Sequence, residues 1–368
     1  MVSAAQVGEH VARIQEAVRS SAKLRPVGGG SKPALSSGGS LELSQVTGVL
    51  EYDPLEYTFT ALAGTPLQEV EALLAAENQY LPFDPPLATE GATLGGTVAA
   101  GLSGPGRFRY GSVRDFLLGV RFVSGTGEFV MGGGKVVKNA AGFDFPKLMV
   151  GALGQFGVMV ELTFKVFPRP ETYATLMVDM GTLNAALTTM QKLALAHFEL
   201  TCLDLEPPSR LTLRVGGTAA ALHKRLERLQ TFMDRDGEIF TGEADETVWR
   251  EARAFAWLPA EHSLVKVPLS PRKLIELEAV LAKLEPSPPR RYSVGGNVLW
   301  LGWPDDLGKA GLETLLNTHE LSALALTGSW QKPLLGKQVG QAFAARVSSV
   351  LDPDDKFTFL SPGETHAA

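Results

Sequence analysis

Seventeen of the chain's 39 glycines fall between Gly91 and Gly157, a window of 67 residues in a chain of 368. Close to half of the glycine therefore sits in less than a fifth of the sequence. The window is no flexible linker, because its glycines alternate with apolar runs such as 116–123 and 148–150. Glycine inside core-like sequence marks backbone dihedrals closed to other residues, or a main chain that something else approaches closely. A bound cofactor carrying phosphates is the ligand class this pattern points to.

Elements on either side of the window can be placed from periodicity. Val7, Val11, Ile14 and Val18 recur at helical spacing, so an amphipathic helix opens the sequence. A second helix is expected with Thr65 as N-cap, Pro66 in the first helical position and Gln68 completing a capping box. Leu67, Val70, Leu73 and Leu74 give it an apolar face, and Asn78 a stop. Strands are expected at 49–52 and 57–61, a hairpin at 117–123 and 128–131, and a further strand at 158–167, where Val158, Val160, Leu162, Phe164 and Val166 alternate. After Pro168-Arg169-Pro170 short strands alternate with long helices and glycine thins out, which predicts helices layered on an antiparallel sheet. The tail 341–351 reads as another helix, and no sequence repeat stands out.

Several functions can be set aside. A formal charge of −6 is the wrong sign for a chain that binds nucleic acid by counterion release. The single cysteine, Cys202, supports neither an internal disulfide nor a cysteine-ligated iron–sulfur cluster. The longest apolar stretch, 148–160, is interrupted by Gln155 and too short for a bilayer span. A soluble cytoplasmic protein without an integral membrane segment is the expectation. A Walker loop fails because Ala310 stands where Ser or Thr should follow Gly308-Lys309, and no GxGxxG follows a strand. Pro105 spoils a nucleophile elbow at 101–105. The six histidines are scattered, so no metal site is expected.

What remains is a set of glycine segments. Val27, Gly28, Gly29, Gly30, Ser31 and Lys32 follow a prolyl turn; consecutive glycines aim several N–H groups into one concavity, and Ser31 and Lys32 add a hydroxyl and a positive charge. A plain flexible turn would read the same way. Thr93, Leu94, Gly95, Gly96 and Thr97 resemble a small-residue helix start lying against a ligand, or else a closely packed helix. Gly157 and Val158 close a glycine-rich entry into a strand.

In order and spacing these segments resemble the flavin-binding domain of the vanillyl-alcohol oxidase/PCMH superfamily, almost continuously from Leu24 to Pro170, with an echo from Asp352-Pro353 to Ser361-Pro362-Gly363. The segments 81–86, 109–115 and 133–144 are similar to the E-subunit family of bacterial glycolate oxidases. The resemblance implies an α+β chain: a PCMH-type, two-subdomain FAD-binding fold over 1–170, an α+β (ferredoxin-like) cap over 171–340, and a segment 341–368 returning to the FAD domain. It implies that residues 27–32 hold the FAD pyrophosphate. Ala92, Thr93, Leu94, Gly95, Gly96 and Thr97 would lie along the isoalloxazine and ribityl chain, with Ser103 and Gly104 against the same chain. Gly157 and Val158 would meet the adenosine half, and Leu87 and Tyr110 the flavin side. Lys138 and Asn139 are candidates for the flavin's reactive edge, or ordinary turn residues. Some relatives tether FAD to histidine or cysteine; with no histidine between His10 and His197, noncovalent FAD is expected.

The chain departs from related 2-hydroxyacid dehydrogenases in carrying Leu153 where they have glutamate, and in lacking their histidine-rich metal segment. The resemblance therefore implies an electron-accepting FAD subunit beside a D-type catalytic flavoprotein and an F-type iron–sulfur subunit. That complex would oxidise a small 2-hydroxy acid of the glycolate or lactate type, at the inner face of the membrane through its partners. A stand-alone flavin dehydrogenase and a non-catalytic, flavin-stabilised assembly subunit remain as alternatives.

Overall fold

A computed structural model describes residues 2–36, 40–134 and 143–357. The first helix, Ala4–Ser20, starts at a capping box in which Ser3 accepts from the Gln6 N–H and Gln6 Oε1 accepts from the Ser3 N–H. Its Ile14 and Val18 are buried against Leu43, Val46, Leu62, Val158 and Val160, while Val7 and Val11 pack at the margin of that cluster.

An antiparallel five-stranded sheet forms the frame of the N-terminal body. Its order is Val49–Asp53, Thr58–Leu62, Val158–Lys165, Leu117–Val123, Phe129–Gly133. The central strand, Val158–Lys165, is buried at six of its eight positions because helices and neighbouring strands cover both of its faces. The second helix starts differently from expectation. Thr65 is not its N-cap: the helix runs Leu67–Ala76, with Pro66 as an N-cap that makes no side-chain bond. The Thr65 hydroxyl is fully buried and already committed, accepting from the Gly48 N–H at 2.9 Å and donating to the Leu62 carbonyl at 2.7 Å.

The second sheet has nine antiparallel strands in the order Glu238–Thr241, Thr172–Asp179, Arg210–Gly217, Cys202–Glu206, Arg290–Ser293, Val298–Pro304, His262–Pro268, Ser322–Ala325, Leu334–Gly336. Eight of these strands come from two consecutive strand–helix–strand–strand–helix–strand units. The first carries helices Leu183–Leu195 and Ala219–Met233, the second Pro271–Leu281 and Lys309–Thr318. Each unit has the split βαβ connectivity of a ferredoxin-like motif. They join edge to edge where Leu205 pairs with Tyr292. The sequence hides this duplication because the motif needs only an apolar face on each helix and strand, which many residue combinations supply.

The helices of both units share one apolar cluster on one face of the sheet. On the other face Leu264, Val298, Trp300 and Leu324 join the core of the N-terminal body, together with Leu67, Leu94 and Phe164. Helix Glu243–Ala254 sends Asp245 to Arg214 and to Thr175 of the first unit's strands. The tail helix, Gln341–Leu351, packs Ala344, Val347 and Leu351 against the N-terminal core. The chain then returns to Leu24, whose N–H donates to the Lys356 carbonyl.

Candidate functional site

Strand Pro26–Val27 pairs in parallel with Leu41–Glu42, and the loop 28–32 leaves that pair to enter the short helix Pro33–Ser36. Its backbone runs against the segment that opens the glycine-rich window. A Cβ on Gly29 would stand 1.9 Å from the Gly91 carbonyl oxygen and 3.3 Å from Thr93 Cγ2, so no side chain fits there. Gly30 has a φ of +70°, in the left-handed region that glycine occupies without penalty. The N–H groups of Gly29, Gly30 and Ser31 donate to no backbone carbonyl among the described residues.

These residues border a cavity of about 760 Å³, part of it open to solvent. Val27, Gly28, Gly29, Gly30, Ser31 and Lys32 line one side, and Thr93, Gly95 and Gly96 another. Leu153, Gly154, Gly157 and Met159 are also among its lining residues. Lys32 supplies the charge. It is 7% exposed, and its side-chain bond among the described residues is to Ser31 Oγ at 2.9 Å. Burial pulls its pKa down to about 8, the signature of an ammonium lacking a counter-charge. Free amides and a buried lysine beside a wall that admits no Cβ fit the pyrophosphate of FAD.

Two glycines contribute differently from expectation. The Gly95 N–H donates to the Ala63 carbonyl at 2.7 Å, and the Gly96 N–H to Thr93 Oγ1 at 3.2 Å. Thr93 is the N-cap of helix Leu94–Ala100, so these first-turn amides are satisfied within the protein. What Gly95 and Gly96 offer a ligand is the absence of side chains.

Other sequence candidates lie off this cavity. Ala92 and Leu94 are buried in the N-terminal core. The Thr97 hydroxyl is buried with no hydrogen-bond partner among the described residues. Ser103 Oγ accepts from the Val113 N–H at 2.9 Å. Gly104 borders a separate, narrower pocket between the two bodies. Leu87, with φ +63°, donates its N–H to the Arg253 carbonyl of the second body. The Tyr110 ring packs edge-on to Phe167 and Tyr80. Val158 is buried in the small cluster under the first helix, although its neighbours Gly157 and Met159 reach the cavity. Lys138, Asn139 and the segment 361–363 lie outside the described residues.

Sequence reasoning missed Ala63, Leu43 and Met159 as lining residues. Each is an ordinary apolar position in its strand or turn, and only the meeting of the chain segments makes it a wall. Ala99, Ala100 and Gly154 carried a signal, being small residues within the glycine-rich window.

Among the described residues no group of His, Cys, Asp and Glu side chains is arranged to hold a metal, and no helix is long and apolar enough to cross a membrane.

Comparison with known proteins adds the following. The chain is 43% identical over 172 residues to the Escherichia coli protein named glycolate oxidase subunit GlcE, covering 46% of this chain and 49% of that one. It is 30% identical over 175 residues to a D-lactate dehydrogenase of Anaerostipes hadrus, covering 48% and 36% of the two chains. Against glycolate oxidase subunit GlcD of Bacillus subtilis the identity is 26% over 248 residues, covering 65% and 51%. The chain thus spans about half the length, or less, of these curated relatives. Its fold is similar to that of an alkyldihydroxyacetonephosphate synthase, with TM-score 0.69 over 94% of this chain and 74% of that one. At 16% identity that likeness speaks for the fold alone. Residues 1–133 match the FAD binding domain family, so the N-terminal part of this chain is an FAD-binding domain of the PCMH type.

Proposed function

We propose that the chain is an FAD-dependent oxidoreductase subunit of a glycolate-oxidase-like system acting on small 2-hydroxy acids. The observation that carries this reading is the contact of Gly29 with Gly91 beside buried Lys32, a cradle that rejects side chains and wants an anion. In this reading loop 27–32 binds the pyrophosphate, and the Lys32 ammonium faces it. Small residues of helix Leu94–Ala100 admit the rest of the dinucleotide along their flank. Bound FAD supplies a two-electron acceptor. The FAD is held without a covalent link, since Cys202 is fully buried in the second sheet and His10 stands on the first helix, away from the cavity lining.

The relatives named as glycolate oxidase subunits support membership of a complex. We place a D-type flavoprotein beside this chain, and an F-type subunit supplies the iron–sulfur centres that one cysteine cannot ligate. The complex is cytoplasmic, peripheral to the membrane through its partners. Within the chain we divide FAD domain, cap and returning segment at 170/171 and 340/341.

Anaerobic mixing of the purified, flavin-loaded chain with glycolate or lactate tests the reading. Bleaching of the flavin band only when partner subunits are present is the expected result. Bleaching by the isolated chain would make it a stand-alone dehydrogenase. A loaded complex whose flavin on this chain never bleaches would leave it an assembly subunit.

A further inference from the structure

The seam between the two units of the second sheet leaves an acid and a base only partly satisfied. Leu205 pairs with Tyr292 across the seam. Antiparallel register therefore sets Asp204 opposite Ser293 and Glu206 opposite Arg291 on the face away from the shared helices. Asp204 is 8% exposed, and its Oδ1 accepts from Ser293 Oγ at 2.7 Å and the Val294 N–H at 3.2 Å. Its Oδ2 has no partner among the described residues. Arg291 lies diagonally across from it. That guanidinium makes one long ion pair, 3.5 Å to Glu206, and stacks over Trp257 at 5.7 Å, leaving its hydrogen-bond donors unused among the described residues.

Both side chains line one cavity of about 1020 Å³, part of it open to solvent, under helix Glu243–Ala254. Both also line a narrow pocket that continues to Pro86, Gly104 and Pro105 of the N-terminal body. Diagonal neighbours on a sheet are about 7–8 Å apart, and among the described residues no hydrogen bond or ion pair joins Asp204 to Arg291, which leaves room for one small molecule to bridge them.

We propose that Asp204 and Arg291 form a binding site for a small hydroxylated carboxylic acid, Arg291 taking the carboxylate and Asp204 Oδ2 the neighbouring hydroxyl. A guanidinium with free donors is the natural partner of a planar carboxylate, and its stacking on Trp257 holds it in place. Burial raises the Asp204 pKa to about 6, against the opposing pull of Ser293, Val294 and Arg291 and with a further push from Asp84. Its unpartnered Oδ2 accepts a hydrogen bond from the ligand's hydroxyl. Glu206, Arg210 and Glu251 also face the main cavity, and Arg253 the narrow pocket. The site concerns binding alone and goes beyond the flavin reading, since neither residue belongs to the cradle.

Titration calorimetry on the full, flavin-loaded chain tests it, with glycolate and acetate as probes and tryptophan fluorescence as a second readout. Saturable glycolate binding about tenfold tighter than acetate is expected. R291M should weaken both acids about tenfold, and D204N should reduce the preference for glycolate, each with the flavin spectrum unchanged. Absence of saturable glycolate binding by a chain that retains FAD overturns the proposal. So does binding that R291M leaves intact, or a glycolate preference that survives D204N. Anaerobic flavin bleaching by the bound acid would mark a substrate, and binding without bleaching an effector. Loss of FAD from the wild-type chain would instead count against the proposed function.

Discussion

Gly29 and Gly91 meet asymmetrically. A Cβ added at Gly29 would stand 1.9 Å from the Gly91 carbonyl oxygen, whereas one added at Gly91 would clear the Gly29 carbonyl oxygen by 3.7 Å. Close approach therefore forbids a side chain at Gly29. At Gly91 the obstacle is only its φ of +80°. Gly29→Ala should push the cradle apart and remove FAD. Gly91→Ala should cost about 1 kcal/mol of backbone strain while retaining most of the flavin. The ratio of 450 nm to 280 nm absorbance in the purified variants reads both effects.

In the proposed cofactor site Lys32 sets a pH dependence of definite sign. Without ligand its pKa is lowered to about 8 by burial. A pyrophosphate beside it raises that value, so above pH 8 binding must take up a proton. FAD affinity should fall by up to tenfold per pH unit between about pH 8 and the pKa of the complex. Lys32→Met should bind FAD more weakly at pH 7 and lose that slope. Fluorescence titrations at several pH values would measure it.

Asp204 behaves oppositely to a salt-bridged carboxylate. Its pKa in the folded protein is raised to about 6 from 3.8, so the folded state favours the protonated form. The charged form destabilises the fold above pH 6, and the penalty is relieved as pH falls from 6 towards 4. Asp204→Asn should therefore stabilise the chain by ~2 kcal/mol at pH 7.5 and by almost nothing near pH 4. Denaturant unfolding at the two pH values is the check.

The buried pair Arg214 and Asp245 ties helix Glu243–Ala254 to the sheet. Arg214 Nη2 donates to Asp245 Oδ2 at 2.6 Å, Nε donates to the same oxygen at 3.1 Å and to Oδ1 at 3.3 Å, and the Thr175 hydroxyl donates to Oδ1 at 2.6 Å. Asp245→Ala leaves a buried guanidinium without its partner and should cost about 3–5 kcal/mol. Arg214→Met together with Asp245→Leu should cost much less, because both charges are gone. A double-mutant cycle in denaturant separates the two cases.

The parts of this fold legible in the sequence are those where local chemistry and packing agree. Helix Gln341–Leu351 and the strands Leu117–Val123 and Val158–Lys165 are marked by periodicity and turn residues. Helix Glu243–Ala254 is not, because among its described positions only Asp245 and Trp249 are buried, and a buried acid leaves no apolar stripe. The cradle was legible because close backbone approach demands glycine and a pyrophosphate demands a cation. The Asp204 site was invisible for the converse reason. Asp204 and Arg291 are 87 positions apart, ordinary strand residues until the pairing of Leu205 with Tyr292 sets them on one face.

The claim that loop 27–32 grips a pyrophosphate is tested most directly by titrating the flavin-free chain with FAD and, in parallel, with riboflavin, which lacks the phosphates. One FAD per chain, bound about a hundredfold or more tighter than riboflavin, is the predicted outcome. Equal affinities, or no uptake of FAD by a folded chain, would contradict it.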